Sequence, residues 1–232
     1  MKRFYKQAGI ASATDGHRVT LDGKPIRTPG KAEMLLPAAA LAEAVAAEWQ
    51  AQGEEIKPDD MPLTQLAATA IDRVAKAREA VIEELIGYAE TDLLCYHAEE
   101  PEDLIVRQMA AWQPLLDWAA ETFEAPFQVT AGIMPARQPE PALRGVRRAL
   151  ETLSDLELTA LASLSACCGS LIVALAVRHG RISADEAFLV SQLDESFQIE
   201  KWGEDEEARK RRALLMRDIE AASGFLSLCR LS

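Results

Sequence analysis

The segment Asp15–Pro25, with the sequence DGHRVTLDGKP, decides the fold class of the N-terminal part of this chain. Two Asp-Gly pairs, each typical of a tight hairpin turn, enclose the alternating segment His17–Leu21. Further short segments flank it, RFYKQAGIASAT before and KPIRTP and EMLLP after, with Pro29 and Pro37 limiting strand length. The pattern predicts a meander of four or five short antiparallel strands. Such a small sheet must curl on itself or pack against helices to be stable.

The rest of the chain has the apolar spacing of helices, because from Ala38 onward apolar residues recur about every 3.6 positions. Thr64 and Asp103 are predicted to cap the helices that they open. A short strand is expected over 127–130, followed by a loop over 135–141. A further helix is predicted to open at Ser183 or Asp185, and the helix from Asp103 is predicted to kink or restart at Pro114. The other predicted helices cover residues 38–52, 63–74, 75–87, 91–96, 103–123, 141–153, 154–179 and 204–229.

These two patterns predict an α+β protein with a small N-terminal antiparallel β domain followed by a larger all-α helical domain. We assign residues 1–60 to an N-terminal β-rich domain with one helix and residues 61–232 to a C-terminal α-helical domain. With 49% hydrophobic residues, the chain is apolar enough to form such cores. Its net charge of −12 argues against binding nucleic acid or an anionic membrane surface, since both need clustered Lys and Arg.

One uncharged segment tests whether the chain enters a membrane. Residues Leu158–Val177 carry no charge over twenty positions, which as one helix is long enough to span a bilayer. Five Ala, three Ser and two Cys make the segment only weakly hydrophobic, and no aromatic belt flanks it. We therefore predict a buried central helix and no stable membrane insertion, with a membrane-anchored factor as an alternative. The N-terminal residues lack a continuous apolar run, so we expect no secretory signal and a cytoplasmic protein.

The sequence offers little support for catalysis or for a metal. Neither a glycine-rich phosphate loop nor a Gly-x-Ser-x-Gly nucleophile turn is present. The histidines lie on separate predicted elements, and the cysteines lack Cys-x-x-Cys spacing, which favours small buried thiols. We predict no catalytic residue, no metal and no cofactor, and hence no enzyme. The residues concerned are His17, His97, His179, Cys95, Cys167, Cys168 and Cys229.

The stretch 191–205, with the sequence SQLDESFQIEKWGED, is the best candidate for a binding element. Glu195 and Glu200 are five positions apart, about 140° around a helix, so they cannot share one narrow face. Its acids, including Asp194, are either a solvated face or carboxylates presented to a cationic or backbone donor of a partner. Trp202 is expected in the core, and Gly203 is expected to hold the turn that displays the carboxylates. The acids after Gly203 indicate a helix start, with ion pairs Glu206–Lys210 and Glu207–Arg211.

Five segments taken in order resemble a known family. They are RFYK at 3–6, LDGKPIRTP at 21–29, MPLTQLAATAID at 61–72, TDLLCYHA at 91–98 and QIEKWG at 198–203. Together they resemble the assembly chaperone for the alpha subunit of F-type ATP synthase, found in mitochondria and alphaproteobacteria. The resemblance implies a two-domain fold, β-rich and then α-helical. It also implies a stoichiometric chaperone that shields the unassembled alpha subunit until the beta subunit arrives, without nucleotide hydrolysis.

The resemblance also indicates which residues bind the partner. Glu195 is the first candidate, followed by Glu200 and Asp194, with Trp202 and Gly203 matching the QIEKWG segment. The family often has Asp-His after this Trp-Gly pair, whereas this chain has Glu-Asp-Glu-Glu. We expect the free chaperone to be a monomer in the bacterial cytoplasm, with eukaryotic relatives in the mitochondrial matrix. The alternative is a small acid/base enzyme that uses Glu195, with His97 or His179, in a helical cleft.

Overall fold

The first three strands of the N-terminal sheet form the predicted meander, whereas the fourth pairs with the second strand and not with the third. The computed structural model describes residues 1–132 and 136–230, and the predicted loop over 135–141 begins at a residue outside that part. Strand β2 is central, with β1 on one side and β3 and β4 on the other, all antiparallel. Asp22 and Gly23 both have positive φ, 48° and 78°, as the mirror-image hairpin turn requires. The bounds are Ala8–Ala13 for β1, Gly16–Leu21 for β2, Lys24–Pro25 for β3 and Leu35–Leu36 for β4.

The sheet is stabilised by the first helix, α1, which covers Ala39–Gln50. Val19 and Leu36 of the sheet and Leu41 and Val45 of α1 are fully buried. The helix contacts both β1 and β2. The sheet therefore packs against a helix, as its small size predicts.

The start of α2 is capped by a carboxylate from α1, and the prediction that Thr64 caps it is wrong. Helix α2 covers Pro62–Thr69, and Met61 at its N-cap makes no side-chain bond. The Glu48 carboxylate instead accepts hydrogen bonds from the Leu63 N–H at 2.7 Å, the Thr64 N–H at 2.7 Å and the Thr64 hydroxyl at 2.6 Å. Burial raises the pKa of Glu48. A carboxylate supplied from another helix satisfies the free N–H groups that a cap residue would otherwise take.

Two of the five family-like segments meet at Asp72. Helix α2 continues as a π-helical turn over Ala70–Val74 and then as α3 over Ala75–Glu90. Asp72, in the π turn, accepts the Thr28 hydroxyl at 2.7 Å and the Gly30 N–H at 2.7 Å. These hydrogen bonds hold its pKa below the usual value. A Cβ atom on Gly30 would lie 2.4 Å from Asp72 Oδ1, so a side chain there would displace the Asp72 carboxylate.

Helix α4 is continuous, although Pro114 lies inside it. Pro101 is its N-cap residue, so the prediction that Asp103 caps this helix is wrong. Asp103 lies in the first turn instead and pairs with Lys201 at 3.2 Å. The remaining elements are β5 (Tyr96–His97), α4 (Glu102–Phe123), β6 (Thr130–Ala131), α5 (Glu140–Glu151), α6 (Asp155–Cys168), α7 (Leu171–Arg178), α8 (Ala184–Ser191), α9 (Leu193–Trp202) and α10 (Glu206–Cys229).

The uncharged segment 158–177 is broken in its middle, so the prediction of one helix over 154–179 is wrong. Gly169 has φ +62°, which ends α6. The Ser170 hydroxyl then accepts the Val173 N–H at 3.0 Å, and the buried Asp92 carboxylate accepts the Ile172 N–H at 3.0 Å. Across residues 1–132 and 136–230, no helix has both the length and the apolar character needed to cross a bilayer.

The chain divides into two compact units. The first contains residues 1–78, 154–160 and 224 onward, and the second contains 79–153 and 161–223. The order of elements along the chain, a small antiparallel sheet followed by helices, is the predicted one. The domain division after residue 60 stays a prediction.

Candidate functional site

Helices α9 and α10 form a hairpin around Gly203, and α9, the turn and α10 up to residue 223 belong to the second unit. Gly203 has φ +89° and ψ 166°, a conformation that side-chain-bearing residues rarely adopt, and its N–H donates to the Ile199 carbonyl at 2.8 Å. The Asp205 carboxylate then accepts the Ala208 N–H at 2.7 Å, as an N-cap residue does. Gly203 and Asp205 therefore end one helix and begin the next within a few residues. This confirms that the acids after Gly203 mark a helix start.

A groove of about 400 Å³ lies along this hairpin. The α9 residues that line it follow the i, i+3, i+4, i+7 spacing of one helix face. Three acids and one arginine line the groove together with an isoleucine and a tryptophan, so its charge is negative. The lining residues are Glu195, Gln198, Ile199, Trp202, Gly203, Asp205, Glu207, Ala208 and Arg211.

Glu195 forms an ion pair with Arg211 across the groove. Its Oε1 atom lies 2.6 Å from Arg211 Nη2, and the side chains of Arg211 and Glu195 are 64% and 32% exposed. The predicted Glu206–Lys210 pair is present at 3.4 Å. Arg211 is instead directed to α9, whereas sequence spacing predicted a bond to Glu207. Spacing within one helix cannot show which neighbouring helix competes for an arginine.

Trp202 is not in the core, so that prediction is wrong. It is 79% exposed at the edge of the groove, on the last turn of α9. Phe197, five positions earlier and therefore on another face, is the buried aromatic residue of this helix. Trp112 of α4 shows the contrast, because it is fully buried and its indole N–H donates to the Val190 carbonyl at 3.0 Å.

The other two predicted acids lie outside the groove. Asp194 accepts a hydrogen bond from Gln108 Nε2 at 2.8 Å. Glu200 pairs with Arg107 at 2.7 Å. Glu195 and Glu200 therefore point in different directions, as their spacing along the helix predicts, and only Glu195 lines the groove.

Sequence reasoning missed six lining residues, which are Gln198, Ile199, Asp205, Glu207, Ala208 and Arg211. The first two could have been found, because they complete the face on which Glu195 and Trp202 lie. The α10 residues could not, since their position depends on how α10 folds back after Gly203.

Histidines do not contribute to the groove. His97 packs against Trp112 with ring centroids 5.5 Å apart, and His179 packs against Trp118 at 5.6 Å. Burial lowers the pKa of His97. Residues 1–132 and 136–230 contain no group of three or more His, Cys, Asp or Glu side chains that could hold a metal ion.

None of the four cysteines forms a disulfide, and none lines the groove. Cys95 and Cys168 are buried, whereas Cys167 and Cys229 are half-buried. Burial raises the pKa of Cys168 to about 12 and likewise that of Cys229 to about 12. At neutral pH these groups are therefore protonated and poor nucleophiles.

An open groove with charged walls and an exposed indole at its edge suits contact with another protein chain. The fold and the groove together define a binding protein of the α+β class. A family model described as ATP12 chaperone protein matches residues 2–120. That match covers more than half of the chain, which therefore belongs to the ATP12 chaperone family.

Relatives of known structure extend the similarity over nearly the whole chain. The crystal structure of Atp12 from Paracoccus denitrificans is 44% identical, with a TM-score of 0.94 over 99% of this chain and 98% of that one. The Agrobacterium tumefaciens protein Atu1473 is 40% identical, with a TM-score of 0.94 over 97% of this chain and 85% of that one. The mitochondrial protein atp12 of Schizosaccharomyces pombe is 26% identical over 98% of this chain and 82% of its own length.

Family membership confirms the resemblance drawn from the five segments, and with it a chaperone role in ATP synthase assembly. The family model ends at residue 120, before the groove begins. The match to the solved structures covers 97% or more of the chain, so the similarity extends well past residue 120. They confirm the predicted fold class, a small N-terminal antiparallel sheet followed by helices.

Proposed function

We propose that this chaperone binds the unassembled alpha subunit of F-type ATP synthase and shields the surface that later meets the beta subunit. Glu195 and Trp202, in the groove between α9 and α10, are the main contacts. The chaperone acts as a cytoplasmic monomer, holds its client at equal stoichiometry and leaves when the beta subunit binds. No catalytic step is needed, since an orphan subunit aggregates through an exposed interface that a bound partner can cover.

The single observation that carries the proposal is a largely exposed tryptophan beside a carboxylate. Trp202 is 79% exposed, although solvent contact is unfavourable for a large aromatic ring. Tryptophan is enriched among residues that dominate the energy of protein interfaces. Leu214, three residues after Arg211 on α10, is also exposed and extends the apolar surface.

The ion pair between Glu195 and Arg211 leaves the carboxylate available to a partner. Both side chains are at least partly exposed, and such surface pairs contribute only about 0–1 kcal/mol. A cationic group of the client can therefore replace Arg211 at little cost. Asp205 and Glu207 in the same groove add to the attraction for that cation.

The acid/base enzyme has weaker support than the chaperone. It requires Glu195 to approach His97 or His179 within hydrogen-bonding distance. Glu195 pairs with Arg211, and His97 and His179 each pack against a tryptophan outside the groove.

The test measures aggregation of purified alpha subunit by light scattering, without ATP, at increasing amounts of the chaperone. We expect suppression to saturate near one chaperone per subunit. Glu195→Lys should weaken suppression because it places a cation where the client presents one. Glu220→Lys makes the same charge change at an exposed α10 position outside the groove and should act like the wild type.

The possible outcomes test the proposed client and the proposed contact surface separately. If the wild-type protein neither suppresses aggregation nor forms a complex, the proposed client is wrong. If it does both and Glu195→Lys is equally active, the groove is not the contact surface. Circular dichroism of each variant shows whether the helices remain folded.

A further inference from the structure

A second groove, in the first unit, lies between the N-terminal segment, the β2–β3 hairpin and the end of α1. Its volume is about 420 Å³, enough for one large apolar side chain with adjoining backbone. Its walls are mainly aromatic and aliphatic, and its charged residues lie on the hairpin. The lining residues are Phe4, Tyr5, Leu21, Asp22, Lys24, Pro25, Ile26, Arg27 and Trp49.

Hydrogen bonds of Arg3 and Tyr5 fix the N-terminal segment that forms one wall of the groove. Arg3 donates to the Gln50 carbonyl at 3.3 Å, to the Gln52 carbonyl and to the Tyr5 carbonyl at 3.1 Å. The Tyr5 hydroxyl donates to the Trp49 carbonyl at 2.6 Å. These bonds satisfy carbonyl groups at the end of α1 and fix the N-terminal segment against that helix.

Phe4 is left exposed by this arrangement. It lies between Arg3 and Tyr5, is 67% exposed and meets the Tyr5 ring edge-on at a centroid distance of 5.4 Å. The hydrogen bonds of both neighbours to the helix fix the backbone on either side of Phe4. An exposed phenyl ring at the edge of an apolar groove is an arrangement suited to a partner side chain.

The lining of this groove is positive, whereas the protein as a whole is negative. Lys24 and Arg27 stand against Asp22, a net charge of +1 in a chain whose total is −12. Lys24 and Arg27 line the groove and are exposed. Asp22, the acid in the lining, accepts backbone N–H bonds from Lys6 and Gln7 at 2.9–3.2 Å, which offset its charge locally.

We propose that this groove is a second docking site, whose occupant is an acidic segment of a partner protein that inserts one apolar side chain beside Phe4. The apolar walls supply contact area, and the cations at the edge select carboxylates near the inserted side chain. The α9–α10 groove has the opposite preference, since acids line it. The two grooves therefore bind segments of opposite charge.

The test uses two fluorescein-labelled peptides and the full chain, with fluorescence anisotropy as the readout. One peptide has Phe-Leu flanked on each side by Asp and Glu, and the other has the same core flanked by Lys and Arg. We expect only the acidic peptide to bind, and its affinity to fall when salt rises from about 0.05 to about 0.2 M. Phe4→Ser, and separately Lys24→Glu with Arg27→Glu, should each lower that affinity about tenfold or more.

Matched controls make the same changes elsewhere. Met109→Ser removes an exposed apolar side chain of α4, and Arg209→Glu with Lys210→Glu reverses two exposed charges of α10. Both should bind the acidic peptide like the wild type, as should Glu195→Lys. Because no alpha subunit is used, this test is independent of the function proposed above.

Three results would overturn the proposal. They are no binding of the acidic peptide, equal binding of both peptides, and binding that the Phe4 and hairpin variants leave unchanged. Sedimentation velocity tests whether a second copy of this chain occupies the groove instead. A dimer that Phe4→Ser abolishes would assign the groove to self-association and refute the partner segment.

Discussion

Trp202→Ala tests whether Trp202 is a contact residue or a core residue. Trp112→Ala is the matched substitution at a buried tryptophan. A tryptophan can bury up to about 250 Å². Since Trp202 is 79% exposed, about a fifth of that area, roughly 50 Å², is covered in the free protein. At about 25 cal/mol per Å², Trp202→Ala should lower the free energy of unfolding by only about 1.3 kcal/mol.

Trp112→Ala should behave very differently. Trp112 is fully buried and its indole N–H is hydrogen-bonded, so its loss leaves a cavity and an unpaired carbonyl. The expected loss is about 3–5 kcal/mol. Urea unfolding followed by far-UV circular dichroism measures both variants without depending on tryptophan emission.

For a folded Trp202→Ala protein, the loss of client affinity should be large although the loss of stability is small. If the indole is a main contact for the client, its affinity for the alpha subunit should fall by about 2 kcal/mol, roughly thirtyfold. Competition between this variant and the wild type for labelled alpha subunit measures that loss. An unfolding free energy lowered by 3 kcal/mol or more, or an unchanged affinity, would refute the reasoning.

Two further predictions concern the helical unit. Gly145→Ala should lower the free energy of unfolding by about 2 kcal/mol, because the new Cβ would lie 2.3 Å from the Phe123 carbonyl oxygen. Gly87→Ala should raise the free energy of unfolding by about 0.5–1 kcal/mol, because nothing lies within 4 Å of the new Cβ. Equal shifts of the two variants in thermal unfolding would contradict this difference. Burial raises the pKa of Asp92 to about 6, so the stability due to its bound proton is present at low pH and lost as pH rises through 6. Between pH 5 and pH 7.5 the wild type should therefore lose about 1 kcal/mol more than Asp92→Asn in urea unfolding, and parallel pH profiles would exclude this role.

Local signals in the sequence were sufficient for the sheet. The Asp22-Gly23 turn and the alternating strand before it depend on neighbouring residues, so the hairpin could be predicted directly. The break at Gly169 and Ser170 was missed because the uncharged run around it has helical composition throughout. The carboxylate of Asp92, far away in sequence, supplies the bond that stabilises the new helix start.

The candidate site was predictable to the extent that it lies on one helix. Glu195 and Trp202 occupy one face of α9, and this spacing could be predicted from sequence alone. The same spacing rule places Phe197 and Trp202 on different faces, so it indicates that only one of them is buried. Arg211 could not be assigned to the groove, because its position depends on the fold of the hairpin.

The composition of the first unit affects the order in which the protein can fold during its synthesis. Residues 1–78 share this unit with 154–160 and with the segment that begins at 224. A ribosome makes those later segments only after most of the second unit has been translated. The N-terminal sheet and α1 can pair as soon as they emerge, but the unit that contains them stays incomplete until residue 224 and beyond have left the ribosome. The first unit therefore becomes complete only after the whole of the second unit has been translated.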